Sequence, residues 1–225
     1  MEVTYLNHMG TDDTVVDAAR VSFHKEALNF SAEQNGRLIK YLAEHNHIAP
    51  FMHCMITLRE KVPIFVARQR FKHTVGFAYN EVSRRYVDEQ PEFYTPDVWR
   101  KRAENKKQGS GEDLIRVKNA FWGFSSGGVF TNSERDGLYL EEYHNGCIAY
   151  YQSLLDNGVA PEQARMVLPQ SMYTEYVVTG SLAAFARAYK LRSEENAQKE
   201  IQDLAVKWDE IIRPLFPRSW EALVG

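Results

Sequence analysis

The chain has 225 residues, 44% of them hydrophobic and 25% charged, which bounds it to one packed globular domain or two at most. Its formal net charge is -3, from 27 Lys and Arg against 30 Asp and Glu. It therefore lacks the basic excess of a general nucleic-acid binder, and no nucleic-acid partner is expected. An anionic ligand must be met by local clusters of Arg and Lys. The two cysteines, Cys54 and Cys147, are too few for a disulfide framework and show no metal-finger spacing, so a reduced intracellular compartment is expected. The N-terminal stretch has no basic flank or apolar run. No segment approaches the ~18 apolar residues of a bilayer span. The expectation is a soluble protein with no membrane partner.

Glu2 to Asn7 reads as a strand, and Asp13 to Val21 as a helix. Ser31-Ala-Glu-Gln34 is a capping box that opens a helix to about Glu44, with Leu38, Tyr41 and Leu42 on one face. Ile56 and Leu58 alternate with polar neighbours over Met55 to Glu60, a strand pattern. Pro63 suits the first turn of a helix from Ile64 to about His73. Val75 to Tyr94 is turn-rich and strand-like. Residues 100–137 read as a surface excursion with a helical stretch around Asp113 to Phe121. A helix from about Leu138 to Asp156 carries a seam of Leu140, Tyr143, Cys147, Tyr150 and Leu154, closed by Gly158. Pro161 opens a short helix broken at Pro169, and Met172 to Val178 is strand-like. Ser181 and Ser193 each suit the cap of a further helix, the second running to about Arg213. The fold class expected is α+β. A single domain over residues 1–225 would hold a central, mostly antiparallel sheet flanked by helices.

The chemistry concentrates in Arg68 to Tyr86, which holds Arg68, Arg70, Lys72, Arg84 and Arg85 beside His73, Asn80, Glu81 and Ser83. A phosphate needs several converging donors, and Arg supplies them as a rigid fork. On a helix, Arg68 and Lys72 share one face, and Gln69 and His73 the next. Read alone, such a run is as readily a solvated basic helix end as a ligand site.

Arg68-Gln69, His73, Tyr79-Asn80-Glu81, Ser83 and Arg85-Tyr86 together resemble the motif of the flavin-dependent thymidylate synthases. Lys72 and Thr74 stand where that family has arginines, and eight residues, Val75 to Val82, precede Ser83. The chain thus resembles a divergent, phage-type branch. Val15 to Phe23, His45 to His53, Ala164 to Pro169 with Tyr173-Thr174, and Leu191-Arg192 with Ala197 to Ile201 resemble the family's other segments in order and spacing.

The resemblance implies reductive methylation of dUMP to dTMP. The carbon donor would be 5,10-methylenetetrahydrofolate, and FAD reduced by NADPH or NADH would carry the hydride. It implies a homotetramer with shared active sites, in bacterial or phage-infected host cytoplasm. Gln69, Lys72, Glu81, Ser83, Arg84, Arg85 and Arg165 would hold dUMP, Arg165 from a neighbouring subunit. Arg192 would be the catalytic group, facing uracil and favouring its ionised form. His53, Met55, Lys72, His73, Thr74 and Glu81 would contact FAD. Ser181 and Ala183 replace an Asn and an Arg that touch FAD in the family, and Arg187 is the candidate substitute.

A cysteine route to C5 methylation needs an accessible thiolate. Cys147 falls on the apolar seam and Cys54 follows His53 on a strand, so neither is expected to serve. Ser83 has no activating base in view and reads as a positioning group. Two rival readings remain. Glu44-x-x-His47 and Glu141-x-x-His144 fit a di-iron carboxylate bundle, although His144 reads as a surface residue and no metal site is expected. Tyr79, Tyr86 and Phe71 beside the basic run fit a non-catalytic nucleotide or RNA binder.

Overall fold

A computed structural model of the chain describes residues 1–87, 89–102, 104, 109–115 and 138–225. It divides into two compact units. The first comprises Met1–Lys61, Arg68–Glu81 and Glu175–Gly225, and the second Val62–Ala67 and Val82–Thr174.

The first unit is built on a four-stranded sheet of β1 (Glu2–Met9), β2 (Met55–Pro63), β3 (Phe77–Glu81) and β6 (Tyr173–Ser181), in the order β1-β2-β6-β3. The β1–β2 and β3–β6 pairs are antiparallel. Thr57 meets Thr179 at 3.0 Å and Arg59 meets Glu175 at 3.7 Å, so β2 and β6 also run in opposite directions. Side chains alternate across a strand. In β2 this buries Ile56, Leu58, Glu60 and Val62, and in β6 Thr174, Tyr176, Val178 and Gly180. The antiparallel sheet flanked by helices agrees with the α+β expectation.

Helices cover the buried face. They include α1 (Asp12–Arg20), α2 (Ala32–Glu44), α6 (Leu182–Arg192), α7 (Lys199–Leu215) and α8 (Pro217–Val224). The Ser31 capping box forms as read: its Oγ accepts from Gln34 N at 3.2 Å, and Gln34 Oε1 accepts from Ser31 N at 2.8 Å. Ser181 caps α6, accepting from Ala184 N at 3.2 Å. Ser193 does not cap α7. It ends α6, and Gln198 precedes α7. α8 lies beyond the end expected near Arg213. Pro217 takes the first helical position, where its missing N–H costs nothing.

Two large apolar groups, Trp208 and Trp220, are fully buried beside Phe185, Phe216 and Tyr176. Glu60 and Arg70 lie among them, each 0% exposed, with Arg70 Nε 3.2 Å from Glu60 Oε2. Breaking such a pair from one side typically costs ~3–5 kcal/mol, because the other charge is left uncompensated.

α3 (Ile64–Arg70) ends about a turn before the His73 expected from the sequence, and Phe71 to Gly76 form a turn. Gly76 sits there at φ +79°, where a side chain is rarely tolerated. An added Cβ would also lie 2.9 Å from Ala184 Cβ, so the turn packs directly on α6.

In the second unit, Ile64 N donates to Met172 O at 2.9 Å and Tyr94 N to Ser171 O at 2.8 Å. A small sheet pairs β4 (Trp99–Arg102) with β5 (Ser110–Ile115). The helix expected around Asp113 to Phe121 is thus replaced by a strand as far as Ile115. The remainder of that expectation, and the excursion's far part, 116–137, lie outside the described residues.

α4 (Leu138–Asp156) forms, but its buried face is not the expected seam. Tyr143 and Tyr150 are exposed and Cys147 is half-buried, whereas His144 and Tyr151 are buried. The face is rotated by one residue because His144 packs flat on Phe93, with centroids 4.4 Å apart, and meets Ser171 Oγ at 2.8 Å. His144 is therefore not the surface residue anticipated. α5 (Pro161–Ala164) continues into a short 3-10 turn to Val167. Among the described residues no helix is long and apolar enough to cross a membrane.

Candidate active site

In the first unit, the C-terminal end of α3 and the turn after it meet the last turn of α6. Arg192 closes α6, and its Nε donates to His73 Nε2 at 2.8 Å. Its Nη2 donates to Gln69 O at 3.2 Å. A guanidinium has only donors, so His73 Nε2 must be the acceptor and its proton must sit on Nδ1. Burial pushes the His73 pKa down to about 4 from the usual 6.5, helped by Arg192, Arg70 and Arg187. His73 is therefore a neutral acceptor at physiological pH.

Arg192 is half-buried between two neutral acceptors, with no carboxylate against it among the described residues. Burial and then the Arg70 charge lower its pKa from the ordinary arginine value. A cation so placed gains from an incoming anion. This guanidinium can thus stabilise negative charge on a ligand while its own position stays fixed.

The other expected residues of this unit fall as follows. Gln69 Nε2 is tied to Gln198 Oε1 at 2.6 Å, and its carbonyl holds Arg192. Lys72 and Thr74 are exposed on the turn. Arg187, on the exposed side of α6, reaches across to Val75 O. His53 is exposed ahead of β2, and Met55 is half-buried at its start. Glu81 is exposed at the end of β3, opposite Tyr176. Ser181 is buried and occupied in capping α6. Its hydroxyl is thereby committed to helix α6.

In the second unit, Ser83 Oγ accepts from Arg85 N at 3.4 Å and Arg85 Nε at 3.1 Å. Among the described residues the hydrogen bonds to this hydroxyl come from Arg85. Arg84 Nη1 donates to Glu89 O. Arg165 is exposed and turns back on its own helix, with Nε 3.3 Å from Glu162 O.

Neither cysteine is set up as a nucleophile. Cys54 is buried, and burial and Asp12 together push its thiol up to about 11, against a smaller lowering by its hydrogen bond with the Thr11 backbone. Cys147 flanks Tyr143 on α4. His45 is hydrogen-bonded, with Nδ1 2.9 Å from Tyr41 O, and its ring stacks on Tyr41. The di-iron reading loses its geometry. α2 ends at Glu44, so His47 lies off the helix, and His144 is engaged with Ser171. Among the described residues no three His, Cys, Asp or Glu side chains group to hold a metal.

Sequence reading missed the network beneath this site. Glu60 accepts from Arg70, from Tyr176 Oη at 2.5 Å and from Trp208 Nε1 at 2.9 Å. Arg70 Nη1 donates to Tyr79 Oη at 2.7 Å. Burial alone would lower the Arg70 pKa, but Glu60 and the two tyrosines outweigh it and raise it. A signal was present: Glu60 continues the inward register of Ile56 and Leu58, where a lone carboxylate needs a buried cation.

The first unit thus defines an α+β protein with a half-buried guanidinium held by two neutral acceptors and a buried, protonated thiol. The chain matches the thymidylate synthase complementing protein family over residues 4–218, and it belongs to that family, the flavin-dependent thymidylate synthases. The flavin-dependent thymidylate synthase of Thermosipho melanesiensis is 37% identical over 96% of this chain and 87% of its own. The enzyme of that name from Thermus thermophilus is 35% identical over 98% of this chain and 74% of its own. A crystal structure of a UMP/dUMP methylase from Streptomyces cacaoi bound with 5-Br dUMP superposes with a TM-score of 0.79. The two chains are 27% identical, and the match covers 98% of this one and 93% of the other.

Proposed function

We propose that the chain methylates dUMP at C5 to give dTMP, with 5,10-methylenetetrahydrofolate as carbon donor and NAD(P)H-reduced FAD as hydride source. The observation that carries this reading is the unneutralised Arg192 guanidinium, held by His73 and Gln69. Uracil C5 is a weak nucleophile. A cation against the N3–O4 edge favours the ionised ring and raises electron density at C5. Such fixed charge is worth most where water is excluded. Cys54 does not suit the alternative, addition of a thiolate at C6, since it is buried and held protonated.

In this reading Gln69, Lys72, Ser83, Arg84 and Arg85 are the donors for dUMP, and Glu81 is an acceptor. Arg165 comes from a neighbouring subunit. The residues toward FAD fit a dinucleotide. Lys72 and Thr74 offer exposed donors for a diphosphate, His53 an exposed ring, and His73 a neutral one. Arg187 adds charge beside the same turn, with Met55 and Glu81 nearby in the reading. Ser181 contributes through its hold on α6. When bound and reduced by NAD(P)H, FAD would supply the hydride that takes the transferred methylene to a methyl group. This chain's residues orient the ring, bind the phosphates and hold negative charge on uracil.

We infer a homotetramer of cytoplasmic location. Support comes from Phe23 and Leu28, which are 73% and 90% exposed as isolated subunit surface. The experiment is flavin uptake, read as a visible absorption spectrum on adding FAD to the folded protein. Binding at micromolar FAD is expected, and looser than in relatives with two arginines at positions 72 and 74. A well-folded chain that takes up none sinks the reading.

A further inference from the structure

The buried Glu60–Arg70 pair is joined to the turn that carries His73 through one tyrosine hydroxyl, that of Tyr79. Glu60 is saturated: Arg70 Nε and Nη2, Tyr176 Oη and Trp208 Nε1 all donate to its two oxygens. Its carboxylate therefore has one orientation. That orientation fixes Arg70, whose guanidinium is also flanked by the rings of Phe77 and Trp208 at 4.4 and 4.5 Å. The remaining arm, Nη1, donates to Tyr79 Oη at 2.7 Å. Having accepted there, the hydroxyl donates onward to His73 O at 2.8 Å. His73 Nε2 then accepts from Arg192 Nε at 2.8 Å. Both acceptors that hold Arg192, Gln69 O and His73 Nε2, thus belong to residues flanking Arg70.

We propose that Glu60, Arg70 and Tyr79 form a positioning relay, which fixes the His73 turn and through it the Arg192 guanidinium that faces uracil. The relay rests on the reading of Arg192 given above. Its logic is directional. Arg70 Nη1 has Tyr79 Oη as its acceptor, and the Tyr79 hydroxyl lies nearer His73 O, at 2.8 Å, than Arg70 O, at 3.4 Å, so breaking the chain costs a polar group its better partner. A saturated ion pair deep in a core adds little net stability over an apolar replacement. It does impose one geometry, and here that geometry terminates at the one residue whose charge needs exact aim. Tyr79, Arg70 and Glu60 touch no substrate in this scheme and act through His73.

The test uses Tyr79→Phe, which removes the bridging hydroxyl and keeps the ring against Phe71 and Tyr176. Turnover of dUMP is measured for wild type, Tyr79→Phe, Arg192→Ala and the double variant. The relay predicts that Tyr79→Phe lowers kcat by about tenfold with KM for dUMP within about twofold, the size of losing one well-aligned hydrogen bond. In the Arg192→Ala background it should change kcat by less than about twofold, since nothing is left to aim. Equal losses in both backgrounds overturn the relay.

A second measurement needs no turnover. Nitrogen NMR of His73 should show protonated Nδ1 and a bare Nε2 in wild type, and a mixture of tautomers in Tyr79→Phe. An unchanged tautomer in the variant also overturns the relay. A folded wild type that fails to methylate dUMP refutes the functional reading instead, and the relay is then decided by His73 alone.

Discussion

Replacing Arg192 by alanine removes two hydrogen bonds, to His73 Nε2 and Gln69 O. Each such bond nets ~1 kcal/mol in a folded protein. Part of that loss is returned, because burial and the Arg70 charge already disfavour the cation here. The expected cost in stability is therefore about 1–2 kcal/mol, and the fold and flavin content should survive. The cost in rate should be larger. Removing one fixed donor from a developing negative charge typically costs ~3–4 kcal/mol, or two to three decades. Arg192→Lys should recover only part, since one ammonium cannot engage two acceptors and the uracil edge together. The assay is tritium release from C5 of dUMP, run beside thermal melting and flavin absorbance for both variants. A folded, flavin-loaded Arg192→Ala with near wild-type release would refute the reasoning. A loss of rate matched by a loss of flavin would move Arg192 into the architecture of the cofactor site instead.

Cys54→Ala with Cys147→Ala should leave methylation intact, because neither thiol is poised as a nucleophile; turnover of the double variant checks this. The stability cost, about 1–3 kcal/mol, should fall on Cys54, which is buried, more than on half-buried Cys147. Separate melts of the single variants decide it. Stability should also respond to pH through His73. Its folded pKa lies below the unfolded one, so the unfolded chain takes up the proton first as pH falls. The contribution is fully present above pH 6.5 and is lost as pH falls toward about 4. Urea unfolding of wild type and His73→Gln across that range reads it. The wild type should lose stability relative to the variant on acidification, and parallel curves would refute the assignment.

Much of the architecture is legible in local sequence chemistry. The Ser31 box, the alternation of Ile56 and Leu58, and Ser181 ahead of an alanine-rich run each specify their element within a few residues. What is not legible depends on distant packing. The face of α4 follows His144, because Phe93 and Ser171 arrive from elsewhere to receive its ring. Ser193 has cap chemistry, yet the helix begins at Lys199. The site shows the same division. Arg192 and His73 stand out by motif resemblance, and the structure brings them into contact. Arg70 reads as one more charge in a basic run, and only the inward register of Glu60 hints that it is buried. The pair, its aromatic surround and its link to His73 join segments more than a hundred residues apart, such as Glu60 and Trp208. No periodicity in either segment records that meeting.

The central claim is tested most directly by incubating the purified chain with dUMP tritiated at C5, methylenetetrahydrofolate, NADPH and FAD, and following tritium release together with dTMP. The account predicts equal amounts of released tritium and dTMP, dependent on FAD and on the folate. A folded protein that binds FAD and dUMP yet gives no dTMP under these conditions would contradict it.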